Sequence, residues 1–283
     1  MIDPRGSVSE HPRSEMHIHI GHSTVYRYNP PATGAIQLLR LTPRDHEGQH
    51  VARWRIDVSA DARLRAHEDA FGNITHVFNT VDSFTELRID IEGEIETQDT
   101  QGVIRGAVER FPPALFLRDT PLTAADVAIR DFADGIRAAC GGAALKEAHA
   151  LLEWLHKEMT FDVAMTDLLP TASEAFALKR GVCRDLCHVF MAAAHHLGIP
   201  ARYVAGYLHM TDGTVEQEAG HAWAEAFIPD IGWVGFDPAN AICPTEAYVR
   251  VAIGLDSIGA APVRGMRFGA GRENLDVAIR VGQ

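Results

Sequence analysis

Lysine is scarce in this chain of 283 residues: only Lys146, Lys157 and Lys179 are lysines among its 26 basic residues. The arginine excess reads as codon usage rather than function. Clustered positive charge is missing altogether. The net charge is −12, with 12 basic against 17 acidic residues up to position 110 and 14 against 21 beyond it. Without a basic block to neutralise phosphates, nucleic acid is not an expected partner. Cysteine is also sparse. Cys140, Cys183, Cys187 and Cys243 are too few and too scattered for a disulfide framework. No apolar run approaches the about 20 residues that span a bilayer. The segment Met1 to Glu15 is polar, carries Pro4 and Pro12 and lacks an apolar signal core, so no secretory signal is expected. Together these absences point to a cytoplasmic protein with reduced thiols. What is present is ordinary globular composition, 46% hydrophobic and 23% charged, which excludes a disordered, collagenous or miniprotein chain. The length suits one large or two modest domains.

The first 110 residues read as β structure. Trp54, Ile56 and Val58 alternate with Arg53, Arg55 and Asp57, and Leu87, Ile89, Ile91 and Ile95 alternate with charged neighbours. Period two with one wet face is the antiparallel signal. Met16–Tyr28, Ile36–Leu41 and Ile74–Val81 read as further strands, the last after a turn at Asp69–Asn73. Residues 111–122, with Pro112, Pro113 and Pro121, mark a linker, and 123–283 form a second domain. There Thr123 and Asp126 suggest a capping box opening a helix to about Ala139. Ala144–Met159 is helical by its leucine spacing, and Thr171 with Glu174 suggests a second capping box. From Cys183 to Leu197 the pattern is helical and strongly apolar, stopped by Gly198 and Pro200. Strands follow at Ala201–Leu208, His221–Ile228 and Gly232–Phe236. The expected class is α+β, helices followed by an antiparallel sheet, behind an all-β N-terminal domain.

Three residues of this second half converge on one chemistry. Cys183 opens a buried helix, where the dipole and free backbone N–H groups favour a thiolate and offer an oxyanion site. His221 opens a strand 38 residues later and Asp237 ends the next one after 16 more. If those strands pair about the turn at Pro229–Gly232, positions 221 and 237 fall almost opposite each other, and the Asp can hold the His ring and its tautomer. Cys, His and Asp so arranged form an acyl-transfer triad.

The wording of the motifs is specific. GVCRDLCHVF (181–190), LGIPARYVAGYL (197–208), HAW (221–223) and DPAN (237–240) resemble the transglutaminase-like superfamily, and within it the bacterial transglutaminase-like cysteine proteases. The segment 250–271 looks like that family's tail. HSTVYRY (22–28), IQLLRLTPR (36–44), Trp54 and DAFGN (69–73) resemble its β-rich N-terminal region. The resemblance implies a papain-like core, with Cys183 as nucleophile, His221 as base and Asp237 as orienter. It implies attack on an amide or ester carbonyl through a thioester, and transfer of the acyl group to water or an amine. The tryptophan that assists the oxyanion in animal transglutaminases has no counterpart near Thr171, which favours hydrolysis and leaves the second oxyanion donor unassigned.

Asp185, His188 and Trp223 are expected to support or wall the site. Asp185 and His188 lie two and five residues past Cys183 and read better as a polar clip on the helix start than as catalytic groups. Cys187 shares the helix face of Cys183 and reads as buried packing rather than a redox partner. Neither a metal nor a cofactor is expected, because C-x₃-C-H lacks the knuckle spacing of zinc sites. His17, His19 and His22 read as a strand face rather than a ligand set, and His195–His196 as a solvent-facing pair at a helix end. The expected partner is a peptide or amide substrate, possibly a protein, and the loop 209–220 (HMTDGTVEQEAG) an acidic site wall. The sequence carries no signal for an oligomeric state. The reading is a cysteine-dependent amide or peptide hydrolase. Its rivals are amine transfer on the same triad and a non-catalytic binding module that keeps the fold.

Overall fold

A computed structural model describes residues 14–166 and 168–283. The reading of the N-terminal segment therefore lies almost wholly outside the described residues. The chain runs β1 (Glu15–Ala32), β2 (Gly34–Thr42), β3 (Gln49–Val58), β4 (Arg65–Glu68), β5 (Ile74–Thr80), β6 (Phe84–Gln98) and β7 (Val103–Ile104). It continues through α1 (Val127–Cys140), α2 (Ala144–Glu158), β8 (Thr160–Phe161), α3 (Ala172–Leu178), β9 (Arg180–Gly181), α4 (Cys183–His196) and β10 (Ala201–Leu208). The last strands are β11 (Glu216–Gln217), β12 (His221–Ile228), β13 (Gly232–Phe236), β14 (Tyr248–Gly254), β15 (Val263–Phe268) and β16 (Arg272–Gly282). The fold is α+β, with antiparallel sheets ordered β11-β16-β1-β6-β3, β15-β2-β5-β4 and β14-β10-β12-β13-β7.

The strand order mixes the two halves of the chain. β16 pairs with β1 along eleven residues and β15 pairs with β2, so the C-terminal strands complete the N-terminal sheets. In return β7 pairs with β13 at the edge of the central sheet. The stretch 111–122 is packed rather than free. It holds a 3-10 turn (Pro113–Leu117) whose Phe116 is buried edge-on against Trp233, with ring centroids 5.2 Å apart.

Helix starts follow local chemistry. Asp126, not Thr123, caps α1: its carboxylate accepts from Ile129 N–H at 2.9 Å, while the Thr123 hydroxyl accepts from Thr120 N–H. Thr171 and Glu174 form the reciprocal capping box of α3. α4 is buried almost all round. Leu186, Val189, Phe190 and Ala193 pack in one cluster with Ala201, Ala205, Ala222, Ala224 and Ala226 of the central sheet. A helix with no wet face needs a small-residue surface to lie on, and the alanines supply it.

His195 corrects the solvent-facing reading. It is buried, with its ring nitrogens hydrogen-bonded to Asp119 and to the carbonyl of Ala201, both at 3.0 Å. Only His196 reaches outward, to Asp134. On β1, His17 and His19 are exposed whereas His22 lies on the buried face, bonded to Tyr207 and Thr24. Alternation puts them on opposite faces, so they form no ligand set.

A buried charge cluster ties these parts together. Glu225 of β12 is fully buried between Arg202 of β10 and Arg250 of β14, each with a contact of 2.6 Å. Arg202 also grips Glu109 with two hydrogen bonds and stacks on Trp233. Burial opposes the charge on Glu225, but the two guanidinium groups hold its carboxyl down at about 2. Because the folded value is depressed, this stabilisation is full above the ordinary carboxylate range and is lost progressively as pH falls from there through about 2. Glu225→Gln removes the anion shared by Arg202 and Arg250, leaving Arg202 to Glu109 alone and Arg250 without an ion-pair partner among the described residues. Chemical denaturation should show a loss of about 3–5 kcal/mol, against under about 1 kcal/mol for removing the exposed Arg55–Asp57 pair. Equal losses would make the buried cluster no more than a surface pair.

Candidate active site

Cys183 is the first residue of α4 and is partly exposed. Its position is fixed from both sides. Asp185 turns back to accept from Val182 N–H at 3.0 Å, and its other oxygen accepts from Arg184 Nε at 2.9 Å. This is the N3-to-N-cap half of a capping box, without a return bond because the Val182 side chain has no acceptor, and the acid suits the positive end of a helix. Gly181 makes room for it, since a Cβ there would lie 2.6 Å from Cβ of Asp185. β9, just upstream, is pinned to β8. The Arg184 guanidinium meanwhile bonds the carbonyls of Met165, Thr166 and Leu168. Val182 O takes up the Asp185 and Leu186 N–H groups. The N–H groups of Cys183 and Arg184, in the first turn of α4, have no carbonyl one turn earlier to meet.

His221 and Asp237 are joined directly, Nε2 to Oδ2, at 2.6 Å. The register differs from the expected one by two residues: Ala224 faces Phe236 and Ile228 faces Gly232, so Asp237 falls across from position 223 rather than 221. Side chains alternate with period two, so a two-residue offset keeps both groups on one face and makes the contact diagonal. Asp237 is fully buried. Its Oδ2 also accepts from Asn240 Nδ2 and Tyr248 Oη, both at 2.7 Å, and Oδ1 accepts from Ala239 N–H at 2.9 Å. Burial alone would raise its pKa, but the hydrogen bonds of His221, Asn240 and Tyr248 hold it below the ordinary carboxylate range.

With Nε2 engaged by Asp237, Nδ1 is the ring nitrogen left for the Cys183 sulfur. Burial opposes a charge on the ring. The hydrogen bonds of Asp237 and Cys183, with their negative charge, outweigh it and push His221 up to about 10.

The expected supporting residues separate. Asp185 is the helix clip just described. His188 is fully buried under the loop after β14, where its Nε2 accepts from Ser257 N–H at 3.1 Å and its ring lies against Tyr203. Burial pulls it down to about 4, so it is neutral. Trp223 is buried beneath His221, with ring centroids 6.3 Å apart, over Gly206, where any Cβ would strike its ring. Cys187 is fully buried and burial pushes its thiol well up, which makes it an inert packing residue. The loop 209–220 is anchored by the pairing of β11 with β16 and by Gln217 Nε2, which donates to the carbonyl of Leu208 at the end of β10. Among the described residues no group of three or more His, Cys, Asp or Glu side chains is disposed to hold a metal ion. No helix among them is long and apolar enough to cross a membrane. Tyr248 escaped the sequence reading, because a tyrosine opening an apolar strand looks like any core aromatic.

Residues 18–96 match the bacterial transglutaminase-like N-terminal region and residues 130–238 match the transglutaminase-like superfamily. An uncharacterized protein of Mycobacterium leprae is 30% identical over 275 residues, covering 92% of this chain and 96% of that one. The chain belongs to the transglutaminase-like superfamily. A solved structure of a proposed cysteine protease from Cytophaga hutchinsonii superposes with a TM-score of 0.73 at 17% identity, over 95% of this chain and 91% of that one, a likeness of fold. A protein-glutamine gamma-glutamyltransferase of Pseudomonas aeruginosa is 29% identical over 145 residues, 44% of this chain and 22% of its own length. For this superfamily member the site geometry has a measurable consequence. The raised pKa of His221 gives stability that is full below about 6.5 and lost as pH rises through about 10. In an NMR titration His221 should stay protonated through pH 8. Asp237→Asn should lower its midpoint by at least about one unit. A midpoint unmoved by that change would show that Asp237 does not govern the ring.

Proposed function

We propose that the protein is a cysteine-dependent amide or peptide hydrolase working through a thioester, with Cys183 as nucleophile, His221 as acid and base and Asp237 as orienter. The observation that carries this reading is the His221 ring held between a buried carboxylate at 2.6 Å and the thiol that opens α4. The helix-and-sheet part is the catalytic unit and the β-rich part, completed by β15 and β16, its accessory. The four free cysteines suit a reducing compartment, and we place its action in the cytoplasm.

The cycle follows from the atoms. In the resting pair the thiol proton already sits on His221, and Asp237 stabilises that imidazolium beside the Cys183 thiolate. The sulfur attacks the carbonyl carbon, and the N–H groups of Cys183 and Arg184 hold the oxygen as it gains charge. The C–N bond breaks, the amine leaves with the proton from His221, and the acyl group remains as a thioester. Water gives a proton to His221 and attacks the thioester. The C–S bond then breaks, releasing the acid and restoring the thiolate beside the protonated His221. A second reading, transfer of the acyl group to an amine, is favoured by the similarity to the gamma-glutamyltransferase.

Two measurements test this. Iodoacetamide at pH 6 should label Cys183 ahead of Cys187 and Cys243, whose thiols burial pushes up. Equal labelling of Cys183 and Cys243 would favour the binding-module alternative. In a screen of amide and peptide substrates, Cys183→Ala should lose at least about 10³-fold in turnover, and wild type should carry an acyl adduct on Cys183 by intact mass. Product release by both proteins at one rate would remove Cys183 from the mechanism. Adding a primary amine separates the two readings: amide product in excess of acid would establish transfer over hydrolysis.

A further inference from the structure

We propose that Tyr248 is a positioning residue for this reaction, its hydroxyl keeping Asp237 ionised and fixing the carboxylate oxygen that faces His221. The proposal rests on the triad reading given above.

The carboxylate of Asp237 is served unevenly. Oδ1 has the Ala239 N–H, whereas Oδ2 has His221, Asn240 and Tyr248 at 2.6, 2.7 and 2.7 Å. A core tyrosine needs some acceptor for its hydroxyl, and any carbonyl would do. Tyr248 instead spends its proton on the one oxygen that the base uses. The phenol cannot swing away. Its ring stands edge-on to Trp223 at 5.3 Å and lies 5.9 Å from His221, and its backbone pairs with Leu208 of β10. Rotation of the carboxylate would break the Tyr248, Asn240 and Ala239 bonds together. Asn240 alone is a poorer clamp. Its Nδ2 lies 3.5 Å from His221 Nε2 and so sits beside the same bond it supports.

The groups around this carboxylate come from β12, α4, α2 and the loop after β13. His221 faces it from β12 and is already charged in acid. Cys183 and Cys187 face it from α4, with Asp185 further along that helix's first turn. Cys243 approaches Tyr248 from the loop after β13, and His156 of α2 bonds the carbonyl of Ala239. Cys187 and Cys243 are pushed up by burial and stay neutral. The Tyr248 phenol is pushed up by burial and by Asp237, so it remains a proton donor throughout.

The test is a carboxyl ¹³C titration of Asp237, assigned by its absence in Asp237→Asn, on the full chain. Tyr248→Phe keeps the ring and loses the donor. It should move the Asp237 midpoint up by about one unit, equivalent to a factor of ten in the ionisation equilibrium. It should also shift the acid limb of turnover upward with it, lowering kcat with KM unchanged. Replacing Tyr248 with 3-fluorotyrosine keeps the fold and strengthens the donor, so the midpoint should move down. A purely structural tyrosine would lower activity at every pH and leave the midpoint where it is. An Asp237 midpoint unchanged in both proteins overturns the proposal. Failure of the triad reading looks different: Cys183→Ala would keep its activity while the Asp237 midpoint still answered to position 248.

Discussion

Asp237 carries its charge with no contact to water, and the site depends on what makes that tolerable. An isolated buried carboxylate would take up a proton rather than stay ionised. Four hydrogen bonds prevent this, and their donors come from separate parts of the chain: β12, the turn after β13, and β14. Each must be in place before the charge is supported. The turn is held by its own bridge, in which Asp237 N–H meets the carbonyl of Ile242 at 2.9 Å. The charged state of His221 is then a consequence. With Asp237 ionised on one side and the sulfur on the other, the ring keeps its proton despite burial.

A second buried carboxylate, Glu225, lies four residues further along β12 and solves the same problem differently. It is answered by two guanidinium cations, Arg202 on β10 and Arg250 on β14, where Asp237 has one imidazolium and three neutral donors. β12 and β14 thus take part in holding both charges. The backbone of Arg250 also exchanges hydrogen bonds with Gln49 of β3, and Arg202 reaches Glu109. The β-rich region is consequently bound to the central sheet by buried polar contacts as well as by apolar packing. Ile18, Ile20, Ile279 and Val281 share one apolar cluster with α4. Strand exchange adds to this, since β16 closes the N-terminal sheet after the chain has passed through the helical part. Cutting the chain near residue 115 would strip β11, β15 and β16 from one unit and β7 from the other.

What was legible in the sequence is what local rules govern. The strands 201–208, 221–228 and 232–236 and the start of α4 at Cys183 follow from alternation, helix period and breakers, and the structure places them at those residues. The α1 cap was misread by three positions because Thr123 and Asp126 both suit a cap, and only the fold shows that Asp126 bonds Ile129. The 221–237 register was misplaced by two residues because symmetry about Pro229 ignores how the chain leaves the turn. Asp230 has φ 67° there, and Gly232 pairs with Ile228. The error cost little, since an even offset preserves the face. An odd one would have turned Asp237 away from His221.

The strand order was not legible for a different reason. Nothing local distinguishes a C-terminal strand that closes its own domain from one that returns to β1, because both show the same alternation. Cys187 shows the same limit at the level of one residue. Four positions from Cys183 on one helix, it has the same element and the same side-chain chemistry. Burial separates them: one turn of helix carries the thiol from the partly exposed helix start into the cluster shared with Val189 and Ala205. Reactivity here is a property of depth along α4, and depth is fixed by where the helix begins. That start is set by Gly181, Asp185 and the β8–β9 pair, three features that do no chemistry themselves.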